Sequence, residues 1–353
     1  MNVPRIRRLA ILRLSAIGDV VHAMPLAMGL RKAYPEAWIT WVVQERAAPL
    51  LENHPAVDRV LIYPRRGGAR VWTGFLRELR AARFDATVDP QGNLKSGAVG
   101  LASGAPLRAG LNPRDCKEWV NALFTNRHGR RPRGLHGVDR AWAAGGPLGV
   151  LDGPDDWGLH ATELEREAWF ARCKQAGADP GGPLLALHLT DPRDARSWFP
   201  EAWAETAATA ARAGWQVILN GTAAQRPLAA AMKGPGVFDM TGRDDLRGLL
   251  AQFEAMAARP GNLLVSPDSG PVHLAVAAGL FVLCLAGPQD PRRTGPRSGG
   301  AWVAAREGLD CAPCLERKCI LRPPERLCMR NLSPASVFRR IQARAARELS
   351  SRT

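Results

Sequence analysis

Short apolar runs alternate with amphipathic stretches along most of the chain. Leu9, Ala10, Ile11 and Leu12 read as a buried strand, and Ser15 to Gly18 as a small-residue loop. Asp19 then opens a helix through Val20, Val21, Ala23, Met24 and Leu26. Trp38 to Gln44 and Val57 to Pro64 predict the second and third strands, with a short helix between them. Val71, Trp72, Phe75, Leu76 and Leu79 recur at helical spacing over residues 69–83. Asp85 to Gly92 gives a fourth strand, Asn93 to Gly104 the helix after it, and Pro106 to Leu111 a fifth strand. Strands alternating with helices predict a parallel sheet covered on both faces.

The rhythm breaks over residues 112–140, which are basic and loop-rich, with apolar character only from Trp119 to Phe124. That stretch is either a solvated loop or a basic rim for an anionic ligand. Helices are expected at Val138 to Leu148 and Glu163 to Ala176, and Gly177 to Pro183 reads as a linker. The pattern then restarts. Strands are expected at Pro183 to Thr190, Gln216 to Thr222, Asn262 to Pro267 and Leu280 to Gly287. Helices follow at Pro200 to Gly214, at residues 244–258 and after Pro271, with Gly214 as a C-cap. A basic amphipathic helix closes the chain from Ser333 to Leu349, with Val337, Ile341 and Leu349 on its apolar side.

The length of 353 residues fits two α/β domains whose strand ends open on a cleft. No apolar stretch reaches the roughly 18 residues of a membrane span, and the arginine-led N-terminus reads as the first strand of a cytoplasmic protein. The net charge of +15 comes almost wholly from arginine, since there are six lysines. It points toward phosphorylated ligands or anionic surfaces. A nucleic-acid binder shares that charge, but no helix-turn-helix, RNP or zinc-finger pattern is present. Glycine-rich dinucleotide and P-loop signatures are absent, as are a GxSxG elbow and an Asp-x-Asp pair for a metal-bound sugar nucleotide.

Three strand-end corners can carry chemistry. At the first, Asp19 is either a helix cap or a reactive carboxylate. At the second, Asp268, Ser269, Gly270 and His273 surround the start of a helix able to take a diphosphate. Thr190, Arg193 and Arg196 lie in a neighbouring strand–helix loop suited to phosphate. At the third, Gln91, Asn93 and Lys95 follow a strand. Cys311, Cys314, Cys319 and Cys328 crowd together, leaving packed thiols, a structural zinc or local disulfides open.

Taken together, Leu14 to Pro25, Asp89 to Gly97, Ser266 to Gly279, Gly287 to Pro296 and the cysteine-rich tail resemble the bacterial lipopolysaccharide heptosyltransferases, glycosyltransferase family 9. Asp89 to Gly97 and His136 to Arg140 are most like the branch that adds the first heptose of the inner core, heptosyltransferase I. The resemblance implies a B-type fold, two Rossmann-like domains facing a cleft. Residues 1–176 would bind the acceptor and 177–332 the sugar nucleotide, with the helix of 333–353 packing back on the first domain. It implies inverting, metal-independent transfer from ADP-heptose, with no cofactor, to Kdo-lipid A or core oligosaccharide. The protein would work at the cytoplasmic face of the inner membrane, against anionic lipid and without nucleic acid. Another family donor or acceptor is the alternative.

Asp19 matches the general base, and partial burial would be expected to raise its pKa and help it take a proton. Donor contacts are implied at Thr190, Arg193, Arg196, Gln225, Asp268, Ser269, Gly270 and His273. Arg196 replaces the usual lysine and Gln225 a ribose-binding glutamate. Acceptor contacts are implied at Ser15, Gly18, His22, Gln91, Lys95 and Arg114.

Overall fold

The computed structural model describes residues 5–304, 308–323 and 325–350, and the chain divides into two compact units, Met1–Leu159 and His160–Thr353. The first unit runs β1 (Arg8–Leu12), α1 (Ile17–Ala33), β2 (Trp38–Val43), β3 (Arg59–Ile62), α2 (Ala69–Ala81), β4 (Ala86–Asp89), α3 (Leu94–Ala102), β5 (Leu107–Gly110), β6 (Arg127–His128) and α4 (Gly137–Gly145). Its strands form one parallel sheet in the order β3-β2-β1-β4-β5-β6. β1 is central because it is apolar on both faces: Ile11 sits between Trp41 and Val88. One face packs on α2 and α3 through Leu12, Val42, Phe75, Leu79 and Val99, with Tyr63, Trp72 and Phe75 edge to face. α1 and α4 pack against each other.

The second unit begins with α5 (Glu163–Gln175) and continues with β7 (Leu184–His188), α6 (Pro200–Arg212), β8 (Gln216–Asn220), α7 (Arg226–Ala230), β9 (Val237–Asp239), α8 (Leu246–Ala257), β10 (Leu263–Pro267), α9 (Gly270–Ala277), β11 (Phe281–Leu285), α10 (Pro291–Thr294), β12 (Gly300–Val303), α11 (Leu327–Arg330) and α12 (Pro334–Ser350). Its parallel sheet is ordered β12-β11-β10-β7-β8-β9. Read from its own first strand, β7, this is the topology of the first unit.

The structure divides the chain earlier than the sequence reading. α5 packs on α8, where Arg247 grips Glu165 through two 2.7 Å contacts and Arg172 meets Asp244 at 2.7 Å. The expected linker after residue 176 is therefore a helix-to-strand turn inside the second unit, entered through Gly177 at φ +83°. α12 packs on α6, and Val337 and Ile341 join Trp203, Ala207 and Ala210 in the second unit's core. The Leu349 side chain lies outside the described residues. Gly214 follows the end of α6 at φ +90°, as the C-cap reading requires. Strands β6, β9 and β12 were not anticipated. They are short and all three are edge strands, where burial imposes a weak pattern.

Two buried histidines make stability depend on pH. Burial lowers the His54 pKa to about 4, despite its Nε2 lying 2.9 Å from the Trp157 carbonyl. Burial likewise lowers His188 to about 4, and its Nδ1 finds no hydrogen-bond partner among the described residues. The unfolded chain takes up these protons at the ordinary value of 6.5, so the histidines' contribution is complete above that pH and is lost as pH falls toward 4. Each ring represents up to about 3 kcal/mol. Glu165 acts lower: Arg247 holds its pKa at about 2, so its contribution is present above pH 4.5 and is lost toward pH 2. The urea midpoint is expected to fall between pH 7 and about pH 4.5. A His54→Gln, His188→Gln double variant should lose most of that difference.

Candidate functional site

In a sheet of this order, ligands gather at the carboxyl ends of strands where the winding reverses. That point lies between β1 and β4 in the first unit and between β7 and β10 in the second. Three of the loops expected to carry chemistry, after β1, β4 and β10, fall there, and the loop after β7 is the fourth.

In the first unit, α1 starts at Ile17, which puts Asp19 on its first turn rather than at its N-cap. Oδ2 accepts from the Ala16 amide at 3.2 Å, half of a capping box. Oδ1 meets the Arg13 guanidinium at 2.7 Å. Arg13 also donates to the Asp19 carbonyl at 3.2 Å and to the Pro90 carbonyl at 3.0 Å, tying the β1 and β4 loops together. The Asp19 side chain is 44% exposed. The expected burial is therefore not found: Asp19 is a solvent-facing carboxylate fixed in direction by a cap and an ion pair. Gln91 Oε1 accepts from the amides of Leu14 (2.7 Å) and Ser15 (3.3 Å), which braces the same corner. Burial pushes the Asp89 pKa up, against hydrogen bonds from Gly92, Asn121 and Gln91 that favour its charge.

In the second unit, Arg196 turns back on Asp194 through contacts of 2.9 and 2.7 Å and donates to the Asp268 carbonyl at 3.1 Å. The hydrogen bonds that Arg196 donates to Asp194 raise the Arg196 pKa. Burial works against charge on Asp194, but its bonds to Arg196 outweigh it and hold the carboxyl below its ordinary value. Asp268 is buried, with Oδ2 accepting from Thr294 Oγ1 at 2.7 Å and Oδ1 3.7 Å from His273 Nε2. Ser269 is the N-cap residue of α9, and its hydroxyl lies 3.0 Å from that of Ser266. The start of α9, where Gly270 precedes Pro271, therefore stands beside an acid, a hydroxyl and, through the Asp268 carbonyl, a guanidinium. Donors and acceptors of these kinds have the chemistry to take a phosphate and to hydrogen-bond hydroxyls.

The structure brings together Thr190, Arg196, Asp268, Ser269, Gly270 and His273. Thr190 Oγ1 is 2.6 Å from Ser197 Oγ, inside the loop after β7. Arg193 stands apart, 90% exposed and paired with Asp191 at 2.8 Å. Gln225 is buried after β8, with Oε1 accepting from the Thr222 amide and hydroxyl. In the first unit Ser15, Gly18, Asp19 and Gln91 share the corner, while Lys95 and Arg114 are exposed beyond it. His22 is buried with its ring 4.7 Å from that of His136.

Sequence reasoning missed Arg13 and Arg326. Arg13 follows an apolar strand directly, and a charge at a strand end was the available signal. Arg326 donates to the carbonyls of Pro192 (2.9 Å), Asp194 (3.3 Å) and Ser197 (3.3 Å), clamping the loop that carries Arg196. Those contacts span more than a hundred residues and leave no local trace.

Arg326 belongs to the cysteine-rich segment, which also accepts from the Ala195 amide at the Arg317 carbonyl (2.9 Å). Cys311, Cys314, Cys319 and Cys328 are free thiols. The Cys328 pKa is pushed up to about 11, first by burial and then by the neighbouring Cys314, Cys311 and Cys319. Among the described residues no group of three or more His, Cys, Asp or Glu is placed to hold a metal ion.

The profile of glycosyltransferase family 9 (heptosyltransferase) matches residues 72–324. Lipopolysaccharide heptosyltransferase 1 of Pseudomonas aeruginosa is 31% identical, over 95% of this chain and 97% of that protein. The lipopolysaccharide core heptosyltransferase OpsX of Haemophilus influenzae is 28% identical over 82% of each. A family 9 glycosyl transferase structure from Veillonella parvula superposes with a TM-score of 0.81 at 20% identity, covering 98% of this chain and 100% of that one. An Escherichia coli heptosyltransferase with ADP gives 0.70 at 22%, covering 97% and 99%. The two superpositions identify the fold as the two-Rossmann arrangement of B-type glycosyltransferases.

Proposed function

The chain belongs to glycosyltransferase family 9, the heptosyltransferases, and from that membership we propose that it moves heptose from ADP-heptose onto the Kdo-lipid A inner core, inverting the anomeric centre. It is an enzyme of heptosyltransferase type. What carries the finer reading is the near full-length likeness to the Pseudomonas aeruginosa enzyme. The reading is supported by an exposed carboxylate in one unit and, in the other, a helix start beside an acid, a hydroxyl and an arginine.

In this reading the acceptor hydroxyl gives its proton to an Asp19 carboxylate oxygen as its own oxygen bonds to the anomeric carbon. The bond from that carbon to the diphosphate oxygen breaks, and ADP leaves with the electron pair. The growing negative charge is met by Arg196 and the Gly270 amide at the start of α9. Preorganised donors of this kind contribute about 3–4 kcal/mol each. Asp268 and His273 hold sugar hydroxyls. Arg13 and Gln91 position the base.

No described helix is long and apolar enough to cross a membrane. The proposal is peripheral association with the cytoplasmic face of the inner membrane, where the excess positive charge meets anionic lipid. The protein is incubated with Kdo-lipid A and, in turn, ADP-heptose and several other sugar nucleotides, and product mass is read. Addition of one heptose from ADP-heptose alone is expected. Transfer from another sugar nucleotide instead would overturn the donor assignment, which Gln225 makes worth testing because its amide oxygen is already engaged by Thr222.

A further inference from the structure

The basic stretch after β5 carries the most exposed large apolar side chains of its region. Trp119 is 70% exposed and Leu123 71%, on a 3-10 turn spanning Trp119–Leu123. Leu94 and Leu101 are also exposed, on the outward face of α3, which packs against that turn. The packing is close. A Cβ on Gly97 would lie 2.9 Å from the Asn121 amide and the Phe124 ring, and the Leu94 amide donates to Glu118 Oε2 at 2.9 Å. The start of α3 at Leu94 and the turn that carries Trp119 are therefore packed against each other.

The charge around this surface is predominantly positive. Between residues 112 and 135 there are six basic and two acidic side chains, and Lys95 adds to them from α3. Asp115 is mostly buried and pairs with Arg131, and Glu118, exposed beside Trp119, accepts from the Leu94 amide, so the balance on this surface stays positive. Leucine and tryptophan projecting among lysines and arginines match an anionic lipid surface, with the indole at headgroup level and cations against phosphates.

We propose that Leu94, Trp119 and Leu123, ringed by Lys95 and Lys117, form the surface on which the protein docks to an anionic bilayer. The proposal deepens the functional reading and rests on it, because a lipid-anchored acceptor is what makes such docking useful. The surface is joined to the candidate base: the Glu118 amide donates to the Gly92 carbonyl at 3.0 Å, and Gln91 of the same loop braces the Asp19 corner. Docking would thus present the acceptor side of the protein to the lipid.

Co-sedimentation with vesicles containing phosphatidylglycerol, and with phosphatidylcholine vesicles, tests this. Wild type should bind the anionic vesicles preferentially and lose binding with added salt. Trp119→Ser with Leu123→Ser should weaken that binding about tenfold or more, and Lys117→Glu should weaken it independently. ADP affinity, the urea midpoint and transfer to a detergent-dispersed acceptor should be unchanged in the double variant. Equal vesicle binding by wild type and the double variant overturns the proposal. So does a wild-type dimer that the double variant dissolves while vesicle binding persists, which would give the surface to a second copy. Loss of ADP binding or transfer in wild type would instead strike the functional reading and leave the vesicle result to be judged alone.

Discussion

Asp19→Asn is expected to abolish sugar transfer while leaving ADP affinity within error of wild type. Asparagine keeps the shape and can still accept from the Ala16 amide, so the start of α1 survives. The lost ion pair with Arg13 costs less than about 1 kcal/mol, since the carboxylate is substantially exposed. What disappears is the group that can take a proton, and the expected fall in turnover is about 100-fold to 10,000-fold. Single-turnover transfer and calorimetric titration with ADP separate the two effects. Near-normal turnover would sink the base assignment. Arg13→Ala should also lower turnover, by less, with partial rescue by Arg13→Lys, because a lysine can still pair with Asp19 but cannot also reach the Pro90 carbonyl with the same fork.

Arg196→Ala is expected to weaken ADP binding by about tenfold to a hundredfold, the worth of a charged hydrogen bond to phosphate. Part of that loss comes from Asp194, which would be left as an uncompensated, mostly buried carboxylate beside the diphosphate. An Arg196→Ala, Asp194→Ala double variant should therefore recover some affinity. Arg193→Ala should leave affinity unchanged, because that side chain is exposed and paired with Asp191. Arg326→Ala should show a milder form of the Arg196 defect, since it releases the carbonyls of the same loop. Calorimetry on the four proteins gives an ordering, and unchanged affinity in Arg196→Ala would place that residue outside the phosphate site.

The strand–loop–helix corners were readable from sequence because each is local. An apolar run followed by small residues and then helical periodicity needs no distant partner, and all three corners came out at the reversal points of the two sheets. Asp19 illustrates the limit. Its capping contact lies three residues away and was anticipated in kind, whereas its pairing with Arg13 depends on how β1 turns into α1. The place of Gln91 after a strand points to a ligand contact. That its amide oxygen also takes two backbone amides of a loop more than seventy residues earlier has no local signal.

The sequence by itself determined that the chain makes two parallel α/β units, where their loops fall, and which acids, arginines and glycines those loops carry. Hydrophobic period is a local consequence of burial on one face or two, so it survives in the order of residues. Only the tertiary structure decided that α5 and α12 belong to the second unit, that Arg326 holds the loop of Arg196, and that the turn carrying Trp119 packs against α3. These are contacts between distant segments, set by which faces find partners once the sheets have formed, and nothing in a residue's immediate neighbours encodes them.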